Sequence, residues 1–496
     1  MKKSTQILLA CLVSCTLALS GCGIITFPSE DGDPDPVSSD TETSTRPVTT
    51  TSAQPDDAPE IPASDGFADA QKYVNALRDA DFEGTPMFIA QLADYSDLAP
   101  DAETEATALD QAALRRNRLV EEKYNTHVLI REAPSREQLI ENLRASCDSG
   151  EYYADLIAAP LSDLGLMQAR GLLLNLQSLP FTDYTADYFN RDAMEQAAGG
   201  YAMYGAVGSL TENTQHAYVC FFNKAMTDRY GLESPYTAVQ RGNWTWDTVL
   251  ERQKSLPEGI FLLCSYPSAE DLVQTLFWSG GSHYLTAGTM TTPSLSYAGE
   301  TTNAAISVMQ KIFSDAYASV SGSEALSYFT AGRTFLYLAP LSQAEHLSSM
   351  PDGWGLVPLP RFSADDPYYT ATDQNAFVIC VPRSGIDITR TGLFLQGMFA
   401  ASYQHLSQSV ITQYTTDFLQ DNTSIQMLRS VVQGGIRYDF TQFYGTAYPS
   451  LISATKDQLS AAVFNSRTIT SAYGGYADRV RRDMASAFPM FYKSKM

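Results

Sequence analysis

Pro86-Met87-Phe88-Ile89-Ala90, Val128-Leu129-Ile130 and Tyr153-Ala154-Asp155-Leu156-Ile157-Ala158-Ala159 are short, mainly apolar runs, and what lies between them decides the fold. Each has the length of a strand and is too short for a helix. From Asp110 to Tyr124, Ala113, Leu114, Leu119 and Val120 recur at helical spacing. From Ser135 to Ala145, Leu139, Ile140 and Leu143 share one helical face, with Ser135 as the N-cap. Strand and helix therefore alternate, which predicts a parallel or mixed α/β sheet with helices on its faces. In such sheets ligands collect at the loops beyond the carboxyl ends of the strands.

The rhythm continues further on. Tyr218-Val219-Cys220-Phe221-Phe222 is a strand ending at Asn223-Lys224, and Asn243-Trp244-Thr245-Trp246-Asp247 opens a helix with Thr245 as its cap. Thr301 to Phe313 is amphipathic, while Thr334-Phe335-Leu336-Tyr337-Leu338, Trp354 to Pro360 and Phe377-Val378-Ile379-Cys380-Val381 read as strands. Two α/β lobes fit this count better than one continuous sheet. With 496 residues, 44% of them hydrophobic, there is material for two cores.

The amino terminus carries a different message. Lys2 and Lys3 precede an apolar run from Ile7 to Leu19, which is short for a membrane span and stops at Leu19-Ser20-Gly21-Cys22. This arrangement resembles the lipobox of bacterial lipoproteins, which implies a signal peptide over 1–21 and a diacylglyceryl group on Cys22. At about 0.8 kcal/mol per buried methylene, two acyl chains anchor stably where one is marginal. From 22 to 65 the chain is rich in Ser, Thr, Pro and Asp, as in Asp31-Gly32-Asp33-Pro34-Asp35-Pro36. It has too little apolar surface to offset the entropy of ordering, so a disordered tether is expected.

The net charge of −23 argues against a nucleic-acid partner, because phosphate binding needs a basic face and no block of Lys or Arg occurs. Cys147, Cys220, Cys264 and Cys380 lack CxxC spacing, which argues against zinc. Cys220 and Cys380 lie in apolar strands and read as buried free thiols; a disulfide among the four stays open.

Val120-Glu121-Glu122-Lys123-Tyr124-Asn125, Phe222-Asn223-Lys224 with Tyr230-Gly231-Leu232, Asn243-Trp244-Thr245-Trp246-Asp247 and Trp354-Gly355-Leu356-Val357-Pro358-Leu359-Pro360 occur in that order. Together they resemble the family 1 extracellular solute-binding lipoproteins, the group that holds maltose- and other oligosaccharide-binding proteins, in the form found in Firmicutes. The resemblance implies a type II periplasmic-binding-protein fold with a three-strand hinge, crossed near Gly208, Asp366 and Tyr414. Lobe 1 would be 66–208 with a return at 369–415. Lobe 2 would be 209–368 with C-terminal helices in 416–496. The resemblance further implies a lipid-anchored monomer on the outer face of the cell membrane that closes on a solute, most simply an oligosaccharide, and hands it to ABC permease subunits.

Sugars are held by aromatic faces and by groups that hydrogen-bond hydroxyls, so the candidates are such residues at strand ends. They are Asp94, Tyr95, Ser162, Glu212, Asn213, Trp278, Tyr337, Asp373 and Gln374. Trp278 also reads as core, since it closes the run Thr275-Leu276-Phe277-Trp278, and the polar members also read as caps or solvated loop residues. Trp244 and Trp246 are assigned to packing at a helix start, and the lone His216 to a structural role.

Catalytic readings find little support. Ser453-Ala454-Thr455-Lys456 matches the SxxK pattern of penicillin-recognising acyl-enzymes, but no KTG accompanies it. There is no GxSxG, HExxH or P-loop, and five scattered histidines give no ligand spacing. No enzymatic activity, cofactor or metal is expected. A ligand-sensing or adhesive surface lipoprotein remains as an alternative, as does a polysaccharide hydrolase, which needs only two carboxylates across a cleft.

Overall fold

Met87, Ile89 and Ala90 are 0–2% exposed, so strand β1, Met87–Leu92, is covered on both faces. The computed structural model describes residues 66–93, 98, 100, 107–199, 202–286, 294–296, 299–419, 421–447, 456–473 and 477–487, all within the unit Pro59–Met496. Cys22 and the 1–21 and 22–65 segments lie outside them. β2, Val128–Ala133, pairs with β1 in parallel from Met87↔Val128 to Leu92↔Ala133. β3, Leu156–Pro160, pairs in parallel on the other side of β1.

The connecting helices begin where their caps dictate. Helix Ala108–Tyr124 starts before Asp110, because Thr107 and Asp110 form a reciprocal capping box. Helix Arg136–Ser149 is capped by Ser135, whose Oγ accepts from the Gln138 N–H at 3.2 Å. It runs past Ala145 until Gly150, at φ 75°, turns the chain out.

A second sheet is built from β4, Tyr218–Asn223; β5, Phe261–Ser265; β6, Thr334–Pro340; and β7, Trp354–Val357. Its order is β7-β4-β6-β5, with β4 antiparallel to both neighbours and β6 parallel to β5. The chain then passes through β8, Thr370–Ala371, and returns to the first sheet as β9, Phe377–Cys380, antiparallel to β3. The first sheet thus has the order β9-β3-β1-β2.

Three segments lie side by side between the sheets. Ala217 bridges Thr372 in antiparallel fashion, and β8 pairs in parallel with β10, Ile436–Arg437. The third crossing is therefore at 436–437 and not near Tyr414. Tyr414 is 2% exposed inside helix His405–Asp417, which packs along helix Ala108–Tyr124. Beyond the hinge, Tyr438, Phe440, Phe443 and Tyr444 enter the core of the first sheet, and the Tyr444 hydroxyl donates to the Ala197 carbonyl at 2.8 Å. Segment 416–496 accordingly serves both lobes. Helix Asn422–Gly434 packs on β7, and Gln458–Phe464 takes a bond from Gln310 to the Ala462 carbonyl at 2.9 Å.

The four described cysteines are buried and free. Burial pushes the Cys264 thiol up to about 12 and raises Cys220 and Cys380 as well, so these thiols are inert packing groups. Trp244 and Trp246 are fully buried, with the Trp244 indole donating to the Pro358 carbonyl at 2.8 Å.

Candidate functional site

A cleft of about 630 Å³ opens at the carboxyl ends of β1, β2 and β3. Leu92 and Ala93 follow β1, Ala133 to Arg136 follow β2, and Pro160 ends β3. Ser342, just after β6, contributes from the second sheet. Gln215 and His216 come from the first crossing, and Gln374, Asn375 and Phe377 from the second. The cavity thus lies between the lobes and against the hinge, with a size suited to a small solute.

Two of its basic side chains each lie beside a carboxylate. Arg136, at the first turn of its helix, donates from Nε to Asp163 Oδ2 at 2.9 Å and from Nη2 to Asp163 Oδ1, a bidentate fork. Nη2 also reaches Ser162 Oγ at 3.0 Å. The Asp163 side chain is 3% exposed and that of Arg136 45%, so the carboxylate is a buried anchor and the guanidinium faces outward. His216 Nδ1 lies 3.2 Å from Asp373 Oδ1 without the alignment of a hydrogen bond. Asp373 also accepts from the Asn375 backbone N–H at 2.8 Å.

The candidates read from the sequence divide sharply. Gln374 lines the cleft, while Ser162 and Asp373 stand behind it, supporting Arg136 and His216. Asp94 and Tyr95 lie outside the described residues. Asn213 is 4% exposed and is a structural clasp. Its Oδ1 accepts from the Phe377 N–H and its Nδ2 donates to the Phe377 carbonyl, both at 3.0 Å, and Nδ2 also reaches the Tyr438 hydroxyl at 3.2 Å.

Glu212 faces a separate cavity of about 350 Å³ beside the hinge. Its carboxylate accepts from the Thr214 and Ser407 hydroxyls, and burial raises its pKa above the usual carboxylate value. Its backbone sits at φ 29°, in the left-handed range.

Trp278 and Tyr337 are core residues and neither lines the cleft. Trp278 is 7% exposed within the cluster around the second sheet. Tyr337 is fully buried, stacked on Phe221 and Phe329, with its hydroxyl donating to Gln343 Oε1 at 3.1 Å. β6 is buried along its whole length, so its alternate side chains have no wet face to reach. Lys456 of the SxxK match is paired with Asp271 at 3.3 Å, and Ser453 lies outside the described residues.

Sequence reading missed Arg136, Gln215 and Ser342 and set His216 aside. Arg136 was findable, since it follows the cap at the end of β2, the same strand-end position that selected Ser162.

Two sheets of this order, a three-segment hinge and an interlobe cleft define the two-lobed type II periplasmic-binding-protein fold. No family model matches the chain, and no curated protein matches it by sequence. Solved structures do. The galacto-N-biose-/lacto-N-biose I-binding protein of an ABC transporter from Bifidobacterium longum aligns with TM-score 0.55 at 13% identity, over 82% of this chain and 98% of that one. A cyclo/maltodextrin-binding protein complexed with maltotetraose aligns with TM-score 0.53 at 14% identity, over 84% and 100%. The GacH receptor of Streptomyces glaucescens, solved with acarbose, aligns with TM-score 0.51 at 12% identity, over 81% and 98%. At these identities the likeness is one of fold.

Proposed function

We propose that this chain is an extracellular solute-binding protein that captures an uncharged oligosaccharide in the interlobe cleft and delivers it to an ABC permease. The observation that carries the proposal is the cleft itself: a cavity at the strand ends lined half by polar side chains, where Asp163 holds the Arg136 guanidinium and Asp373 lies beside the His216 ring. Hydroxyls suit such amide, imidazole and guanidinium groups, whereas an anion would meet no cation without a carboxylate partner among the described lining residues. That the fold's neighbours include proteins solved with maltotetraose and lacto-N-biose supports the same class.

The rest of the proposal concerns placement and motion. Lobe 1 comprises about 66–208 with 369–415, and lobe 2 about 209–368 with most of 416–496. The lobes close because ligand binds the closed arrangement more tightly than the open one. Cys22 in Leu19-Ser20-Gly21-Cys22 carries the lipid that holds the protein at the outer face of the membrane, with 22–65 as its tether. Among the described residues no helix is long and apolar enough to cross a membrane. The function is binding without turnover.

A thermal-shift panel of maltotetraose, lacto-N-biose, acarbose, mixed tripeptides and free amino acids tests the substrate class. A ligand at one hundred times its Kd adds about 2.7 kcal/mol of stability, a readily measured shift. Stabilisation by oligosaccharide alone is expected, and stabilisation by peptide alone would end the carbohydrate reading.

A further inference from the structure

His216 and Asp373 belong to different crossings of the hinge, and the hinge pairing itself brings them together. Ala217 bridges Thr372, and the Asp373 N–H donates to the His216 carbonyl at 2.9 Å. The two side chains are thereby adjacent. Nδ1 is enclosed 3.2 Å from Asp373 Oδ1, while the side chain keeps 16% exposure and forms part of the cleft wall beside Gln215, Gln374 and Asn375. Of the two ring nitrogens only Nδ1 is enclosed without a partner, and Nε2 makes no hydrogen bond among the described residues.

A carboxylate oxygen stands beside Nδ1, so the tautomer with its proton on Nδ1 faces an acceptor there and leaves the lone pair of Nε2 for a donor. A ring set by its second nitrogen has a defined tautomer and direction. We infer that His216 is a ligand contact of the cleft, with Nε2 accepting from a hydroxyl of the bound solute, and that Asp373 is a positioning residue acting through it. The inference rests on the cleft being the solute site, and it adds a specificity. Sites built to bond a hydroxyl reject the deoxy analogue strongly, because a buried polar group is then left unpaired.

Two substitutions separate this role from a merely structural one. His216→Gln carries its amide out to the position of Nε2, whereas His216→Asn keeps a polar group near Nδ1 and loses the cleft-facing one. By calorimetry with maltotetraose or lacto-N-biose, whichever the wild type binds, His216→Gln should stay within about fivefold of wild type. His216→Asn should lose at least about tenfold. The reverse order would overturn the inference.

Two measurements on the wild type need no sugar. Nitrogen-15 shifts should report the Nδ1–H tautomer for His216, with that preference lost in Asp373→Ala, and diethyl pyrocarbonate should modify His216 at Nε2. An Nε2–H tautomer in the wild type, or a ring inert to the reagent, would also overturn the inference. Absence of any sugar binding by the wild type would instead count against the carbohydrate reading, and the ring's orientation would then be decided by the sugar-free measurements.

Discussion

Asn213→Ala should destabilise this protein by more than most single substitutions, through groups that belong to other residues. Asn213 sits before β4 on the first crossing, Phe377 after β8 on the second, and Tyr438 after β10 on the third. One side-chain amide thus ties together all three passages of the hinge. Removing it leaves the N–H and carbonyl of Phe377, a residue 5% exposed, without their amide partners. Each such buried group costs about 1–3 kcal/mol when left without its partner, so a loss of about 2–6 kcal/mol is expected, with the Tyr438 hydroxyl adding a smaller amount. Asn213→Asp should be at least as harmful. It keeps an acceptor for the Phe377 N–H but sets a second oxygen against the Phe377 carbonyl. Urea unfolding measures this as a fall in midpoint at unchanged slope. A change under about 0.5 kcal/mol, the size typical of an ordinary surface substitution, would refute the clasp.

Three further outcomes are expected. Tyr337→Ala and Trp278→Ala should each cost about 3–5 kcal/mol of stability. Any variant that still folds should keep wild-type sugar affinity, since neither ring lines the cleft; calorimetry beside urea unfolding checks both. Glu212, with its pKa raised by burial, binds its proton more tightly folded than unfolded, so its contribution is present at low pH and is lost as pH rises through the folded pKa. Glu212→Gln should therefore become more favourable relative to wild type as pH is raised from 4 to 7, and a pH-independent difference would show that the fold does not shift the carboxyl's pKa. Cys22→Ser should release the protein or leave its precursor uncleaved, and should abolish fatty-acid labelling; a wild type that takes up no label would sink the anchor.

The lobes were legible in the sequence because strand and helix periods differ and caps punctuate them. Ser135 and Thr245 cap the helices that their position announces, and Met87–Leu92, Val128–Ala133 and Leu156–Pro160 stand where the apolar runs fall. The side of a strand that faces a cavity was not legible. In strands buried on both faces Tyr337 carries no mark distinguishing core from cleft, and an apolar run around Trp278 fits either fate. Hinge crossings were also hidden. β8 and β10 are two-residue strands with no periodicity of their own, so no pattern in the sequence marks 436–437 as the third crossing, and the family resemblance places it near Tyr414 instead. His216 reads as structural in the sequence because its place beside Asp373 exists only in the folded chain, whereas Arg136 stands at a strand end that the sequence does mark.

The most direct test is calorimetric titration of the wild-type body and of Arg136→Ala with the oligosaccharide that stabilises the wild type. The wild type should bind one molecule per chain and return it uncleaved. Arg136→Ala, which removes the guanidinium facing the cleft, should weaken binding by at least about tenfold, or about 1.4 kcal/mol. Equal affinity in the two proteins, or cleavage of the sugar by the wild type, would contradict binding in this cleft as the function of the chain.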